Sequence, residues 1–484
     1  MRLIRGVRKF LGGWPGGWKK YALGLGGSSQ PAFIQPADPD DRRSLLPPLG
    51  LREYWYPAIP ARDINRKKPV GLRICGVDIV LFKDLNGQVQ ALRNVCPHRG
   101  AWLSWGDCFW KGHLSCPYHG ATFDGDGNCV EFITEGPDSK MVGRLQARKF
   151  PTRTLKGVVF VWMGEGAAVA IEEDAPPELF DDSAFVRHTF RYWPCNWMIS
   201  LENTYDAHNC FFVHRNSIWM SMTRYAGRPR TPLGYRARII NNRSVRVQTG
   251  ANEYYAKDTP DGKVPFQMYY PRVRGYWPLN RYRLAWTWIT ERILALKLKL
   301  PRFETPEEWE GTRPPGIQRI STWDSMYTRW VIPVEENITR VMYLYSARPA
   351  SRLDWIRRAL TWPLYNFIVH YNFSDQDFDA IRTVQYQYPE FLSSTDSYLV
   401  MVRKLFTEHA RGVKKTVDVA ADTTAEKLVR EGDQSLNAKS GTGSAAGNGE
   451  GDSHRETGAG FDILLTGGLG RASGQPPKPQ DDSQ

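Results

Sequence analysis

Cys96-Pro97-His98-Arg99-Gly100 and, fifteen residues further on, Cys116-Pro117-Tyr118-His119-Gly120 decide how this chain is read. Two thiolates and two imidazoles in paired short motifs suit a [2Fe–2S] cluster with mixed ligation. One iron takes Cys96 and Cys116, and the other takes His98 and His119. Neutral imidazole in place of thiolate removes negative charge, which raises the potential above that of an all-cysteine cluster. Each motif ends in Gly, which suits a tight loop with backbone N–H groups aimed at the sulfurs. Structural zinc is the competing occupant, since two cysteines and two histidines also serve zinc. The Cys-x-His pairing argues against it, because zinc fingers pair cysteines at one end and histidines at the other. A Cys96–Cys116 disulfide is the second competitor.

The flanks of the motifs read as short strands. Val77–Phe82 is rich in β-branched and apolar residues, and Val89–Arg93 alternates as a half-buried strand does. Between them Asp84-Leu85-Asn86-Gly87 supplies a hairpin turn. The apolar Gly157–Trp162 reads as a buried closing strand. With both motifs in place, Leu51–Glu165 resembles a Rieske iron–sulfur domain. One departure is Ala121, where many relatives carry Trp; it touches no ligand and is expected to loosen packing.

The chain has 484 residues, enough for two or three domains, and its 41% hydrophobic content indicates a globular protein. Seven cysteines, with Cys75, Cys108, Cys129 and Cys195 outside any motif, suit a reduced, cytoplasmic protein. No run of eighteen apolar residues occurs, which argues against a transmembrane helix. The net charge of +13 is uneven: the first 25 residues hold six basic and no acidic side chains. From residue 413 onward, eight basic side chains face eleven acidic ones. Without a nucleic-acid motif, the basic middle suits an acidic redox partner or substrate rather than DNA. Residues 1–50 read as a basic arm, whose first part is either an amphipathic helix peripheral at a membrane or a poorly ordered extension. After the small apolar run Ala167–Ala170, the acidic Glu172–Pro177 reads as a linker into a second domain at 176–412, and 413–484 reads as a disordered tail. Arg236–Gln248 and Thr339–Ser346 look strand-like, while Asp354–Phe367 has helical spacing interrupted by Pro363.

Glu202-Asn203-Thr204-Tyr205-Asp206-Ala207-His208, followed by His214, is the next chemical stretch. Two histidines and one carboxylate make the facial triad of non-haem Fe(II) oxygenases, with positions left open for O2 and substrate. The rival reading makes these ordinary residues of an aromatic-rich segment. Beside a cluster motif the iron reading gains, because a cluster that delivers electrons needs a redox-active acceptor. Asn196-Trp197, Glu202-Asn203, Asp206, His208 and His214 extend the resemblance to the Rieske non-haem iron oxygenase α subunits, over about Leu51–Phe406. Relatives place the first histidine three residues after the Asp, a position held here by Asn209, so His208 departs from the pattern.

The resemblance implies an α+β protein: an antiparallel β Rieske domain over 51–165, then a helix-grip catalytic domain around a twisted antiparallel sheet. It implies a third iron ligand, Asp377, at the head of a downstream helix, with Asp375 and Asp379 as rivals. It further implies a terminal oxygenase that hydroxylates, dihydroxylates or demethylates an aromatic or polycyclic substrate with O2. Electrons would come from a ferredoxin or reductase, since no flavin or nicotinamide motif is present. In a homotrimer, Asp206 would bridge a cluster histidine of one chain and an iron histidine of the next; its competing role is a helix cap. Tyr205, Phe211 and Phe212 are candidates for an apolar pocket. Two alternatives remain open here: a membrane-associated oxygenase of tetrapyrroles or other lipophilic rings, and an electron-transfer protein lacking the second iron.

Overall fold

A computed structural model describes residues 42–206, 209, 213–214, 217, 230–232, 235–249, 253–255, 303–322, 324–384, 386, 390–393 and 396–413. The first 41 residues, the tail from 414, and His208, Phe211 and Phe212 lie outside that set, as do the side chains of Tyr205, Asp375 and Asp379.

The N-terminal half is built from short antiparallel strands. Val70–Ile74, Val77–Lys83, Val89–Arg93 and Lys149–Phe150 form one sheet in that order. Val158–Trp162, expected as a buried closing strand, runs through the middle of a second sheet between Trp55–Pro60 and Thr152–Leu155. All five of its residues are buried. A third sheet, Leu114–Ser115, Ala121–Phe123 and Cys129–Phe132, carries the second Cys-His motif at its first turn.

The C-terminal half is organised on a long antiparallel sheet. Among the described residues its order is Phe185–Trp193, Ile338–Ala347, Ser325–Glu335, Ile317–Thr322, Gly311–Arg313, Ser244–Thr249 and Tyr235–Ile240. Ile338–Ala347 is buried at every position, as a central strand covered on both faces should be. The stretch read as one strand-like segment, Arg236–Gln248, is a hairpin instead. Asn241 and Asn242 turn the chain with φ of 48° and 54°, a conformation Asn tolerates better than most residues.

Pro363 does not break its helix. Arg352–Tyr365 runs through it, continues as a π-helical stretch over Asn366–Phe373, and returns to α-helix over Ser374–Ile381. The wider turns shift the phase of everything downstream, including Asp377. Among the described residues no helix is long and apolar enough to cross a membrane.

The two halves share one hydrophobic core. Phe160 packs on Trp330 at 5.4 Å, Cys75 N–H donates to the Pro333 carbonyl at 2.8 Å, and Arg73 pairs with Glu335 at 2.7 Å. Residues 42–50, within the stretch read as an arm, pack inward: Arg42 and Arg43 are buried, and Arg43 donates to Glu202 at 3.1 Å.

Candidate metal centres

The two Cys-His motifs fold into matching loops. Cys96 N–H donates to the Ala101 carbonyl at 2.8 Å, and Cys116 N–H donates to the Ala121 carbonyl at 2.8 Å. Gly100 and Gly120 close the loops back onto the cysteine carbonyls at 2.8 and 3.1 Å, with φ of +79° and +71°. A side chain at either glycine would be strained by that backbone alone. The N–H groups of His98 and Arg99 point at the Cys96 sulfur, and those of Tyr118 and His119 at the Cys116 sulfur. Such donors stabilise thiolate charge. The hydrogen bond between the two thiols pulls the Cys116 thiol down and pushes the Cys96 thiol up.

The cysteines are buried and the histidines half-buried, so the imidazoles sit on the outer side. The His98 and His119 rings lie edge to face at 4.8 Å, and His119 Nδ1 is buried without a hydrogen-bond partner. Phe132 packs edge-on against His98 at 5.2 Å, and Ala121 is fully buried opposite Phe132. A pair of sulfurs inside, a pair of ring nitrogens outside and backbone donors around the sulfurs fit a mixed-ligand [2Fe–2S] group.

The second centre joins residues far apart in the chain. Asn196 caps the helix Trp197–Glu202 by accepting from Met198 N–H at 2.9 Å, and its amide donates to the Pro48 and Glu336 carbonyls at 3.2 and 2.7 Å. Trp197 Nε1 donates to the Pro47 carbonyl at 2.9 Å. At the other end, Glu202 accepts from Arg403 at 2.8 and 3.1 Å and from Arg43 at 3.1 Å. Burial alone would raise the Glu202 carboxyl, but Arg403 and Arg43 hold it below its ordinary value. This buried network anchors the helix that leads to Asp206.

His214 Nε2 lies 2.9 Å from Asp377 Oδ1, and both side chains are buried. The contact lacks hydrogen-bond geometry, and Asp377 Oδ1 has no hydrogen-bond partner. A buried carboxylate oxygen and an imidazole nitrogen that meet this way share a space suited to a cation. Phe373 stacks on His214 at 3.6 Å, tilted by 13°. Gln376 is fully buried and clamps the same segment, donating to the Val213 carbonyl at 3.1 Å and accepting from Ser217 N–H at 3.2 Å. Of the acidic positions at the head of this helix, Asp377 is brought to His214. His208 lies outside the described residues. Among those described, no three His, Cys, Asp or Glu side chains converge as a single-ion site.

Asp206 is exposed, at the edge of a cavity of about 160 Å³ that Arg43, Glu202 and Asn203 also line. Its Oδ1 accepts from Asn209 N–H at 3.3 Å, a local capping contact. Sequence reasoning missed the roles of Phe373 and Gln376. Their place beside the acidic cluster was the only signal, and neither residue type marks a metal site by itself.

Residues 54–151 match the family model described as Rieske [2Fe-2S] domain, and residues 162–258 match the one described as homotrimeric ring hydroxylase. The chain is 35% identical over 191 residues to the carbazole 1,9a-dioxygenase terminal oxygenase component CarAa of Sphingomonas sp, covering 38% of this chain and 50% of that protein. It is 39% identical over 173 residues to chloroplastic pheophorbide a oxygenase of Arabidopsis thaliana, covering 34% of this chain and 32% of that protein. The chain thus spans about half, or less, of the length of these relatives. Among solved structures, the terminal oxygenase of carbazole 1,9a-dioxygenase from Nocardioides aromaticivorans superposes with a TM-score of 0.59 at 24% identity, over 76% of this chain and 97% of that one. The oxygenase in a reduced complex with ferredoxin superposes with a TM-score of 0.53 at 20% identity, over 76% and 91%. These superpositions bear out the α+β architecture.

Proposed function

We propose, from the premise that this chain belongs to the Rieske non-haem iron oxygenases as a ring-hydroxylating α subunit, that it is the terminal oxygenase of an O2-dependent system acting on an aromatic or polycyclic substrate. The observation that carries the reading is the buried His214–Asp377 contact at 2.9 Å, in a chain whose other domain presents the paired Cys-His loops. Cys96, His98, Cys116 and His119 would hold the cluster, and His208, His214 and Asp377 would hold Fe(II). When bound, the cluster supplies single electrons and Fe(II) supplies the centre for O2 activation.

The protein's own contribution is positioning. Backbone N–H groups steady the cysteine thiolates. Phe373 and Gln376 fix the plane and height of His214, and the Glu202 network holds the helix before it. A ligand oriented in advance loses less freedom on binding iron.

Asp206 would serve a homotrimer by accepting hydrogen bonds from a cluster histidine of one chain and an iron histidine of the next, and its exposure supports that role. Ferredoxin or reductase would deliver electrons at the half-buried His98 and His119 side. The carbazole oxygenase resolved with ferredoxin supports such a partner, and the carbazole and pheophorbide oxygenases support flat polycyclic substrates. We place the protein in the cytoplasm, with the basic arm as the segment to test for peripheral membrane contact by fractionation.

The electron-transfer alternative lacks an account of the buried His214–Asp377 contact. Metal analysis separates the two: about three irons per chain for the oxygenase and about two for an electron carrier. Product analysis with ferredoxin, reductase and a panel of aromatic, steroid and tetrapyrrole compounds then tests the activity. No oxidised product across that panel, in protein holding the third iron, would overturn the substrate class.

A further inference from the structure

A cavity of about 300 Å³ opens between the two halves and shares no residue with either metal centre. On one side the chain turns from Trp55–Pro60 into the short helix Ala61–Asp63. On the other runs Phe185–Trp193, at the edge of the large sheet. Ile59, Phe190 and Tyr371 give the cavity apolar walls. Arg340 lines it from the buried strand Ile338–Ala347 and is only 1% exposed. Its guanidinium donates to the Pro57 carbonyl at 3.2 Å, meets the Tyr192 hydroxyl and lies over the Phe190 ring at 5.4 Å. All three partners are neutral. Among the described residues no carboxylate stands within ion-pair distance of it. Arg319 and Arg403, buried to a similar depth, each meet a glutamate.

A buried guanidinium is costly unless opposite charge or hydrogen bonds answer it. Burial pulls Arg340 below its ordinary value, and Tyr192 opposes that pull. Arg62 adds a second guanidinium at the exposed lip of the cavity. His188 lines it too, with Nε2 buried and without a hydrogen-bond partner. Burial, helped by Arg62 and Arg187, holds that ring down to about 4 and so neutral, which leaves it one N–H to donate. Asp63 is exposed at the lip and pairs with neither arginine. Two guanidiniums and a neutral imidazole among apolar walls suit an anion with an apolar body, and the volume is that of a small-ligand site. We infer that this cavity binds a small organic carboxylate, held by Arg340 and Arg62 with its body against Phe190 and Tyr371. Such a ligand touches both halves of the molecule and neither metal centre.

Titration calorimetry on the full-length, iron-loaded protein tests this with sodium benzoate, with benzamide as its neutral isostere, and with inorganic phosphate. Benzoate should bind about 10-fold more tightly than benzamide, the scale of one charge-assisted hydrogen bond. Phosphate, which has no apolar body, should bind more weakly than benzoate. Arg340→Gln should bring benzoate down to the level of benzamide, a loss of about 10-fold. Arg62→Ala, at an exposed position, should cost about 2- to 5-fold, and it carries the test if the Arg340 variant fails to fold. Benzoate bound no more tightly than benzamide overturns the inference, as does phosphate at equal affinity or no binding of benzoate. Full benzoate affinity in the folded variants also overturns it, since the ligand would then sit elsewhere, the iron pocket included.

Discussion

The two candidate centres are built in opposite ways. At Cys96–Gly120 the two cysteines and two histidines come from two loops with the same internal hydrogen bonds, each closed by a glycine at positive φ. The geometry is local, and it needs from the rest of the domain mainly a sheet to stand on. The His214–Asp377 contact joins two segments far apart in the chain, held by Phe373 and Gln376, with the buried Glu202–Arg403–Arg43 network nearby in sequence. A local site tolerates change outside its loops. An assembled site depends on every contact that sets the phase and depth of its helices.

That contrast is broken most directly at Asp377. Asp377→Ala is expected to lower the iron content from about three to about two per chain and to bring turnover below detection. The visible and EPR spectra of the cluster should stay intact. If the cluster is lost as well, the two centres are not independent. His98→Cys is the matching change at the local site. It should keep the cluster and the fold but lower its potential by roughly 250 mV or more, read by redox titration, because thiolate charge replaces neutral imidazole. An unchanged potential and EPR signal would remove His98 from the ligand set.

Asp206→Asn probes the link between the centres. Both metals, the trimer and substrate binding should persist, while single-turnover oxidation of the reduced cluster slows by about 10- to 100-fold. Oxidation at the wild-type rate would reduce Asp206 to the cap that its contact with Asn209 already forms. The smallest effect is expected at Gln376. Gln376→Leu removes the clamp on Val213 and Ser217 without touching a ligand, and should weaken Fe(II) retention by about 10-fold during dialysis against chelator. The same treatment should leave the cluster spectrum unaltered, as it must if support for that centre is local.

The sequence was legible in the same proportion as the structure is local. Val89–Arg93 is a strand with the bounds its alternation indicated, and Val77–Lys83 extends the expected Val77–Phe82 by one residue. The misreadings fall where a local rule was overruled. Pro363 was expected to interrupt its helix, yet the helix runs through it, with Pro363 on an exposed face, into the wider turns. Arg236–Gln248 looked like one strand because an Asn-Asn turn lacks the glycine that usually marks a hairpin.

By itself the sequence determined the two Cys-His loops, because two five-residue motifs ending in Gly dictate their own backbone and so the direction of every donor. It also singled out an acidic helix head as the candidate partner of His214. Only the tertiary structure decided which acidic position meets His214. Two residues along a helix is more than half a turn, so the choice among 375, 377 and 379 depends on helix phase. That phase is set by the π-helical turns at Asn366–Phe373 and by Gln376 locked onto the His214 segment. It is a property of packing between distant parts of the chain, which no local reading of residues contains.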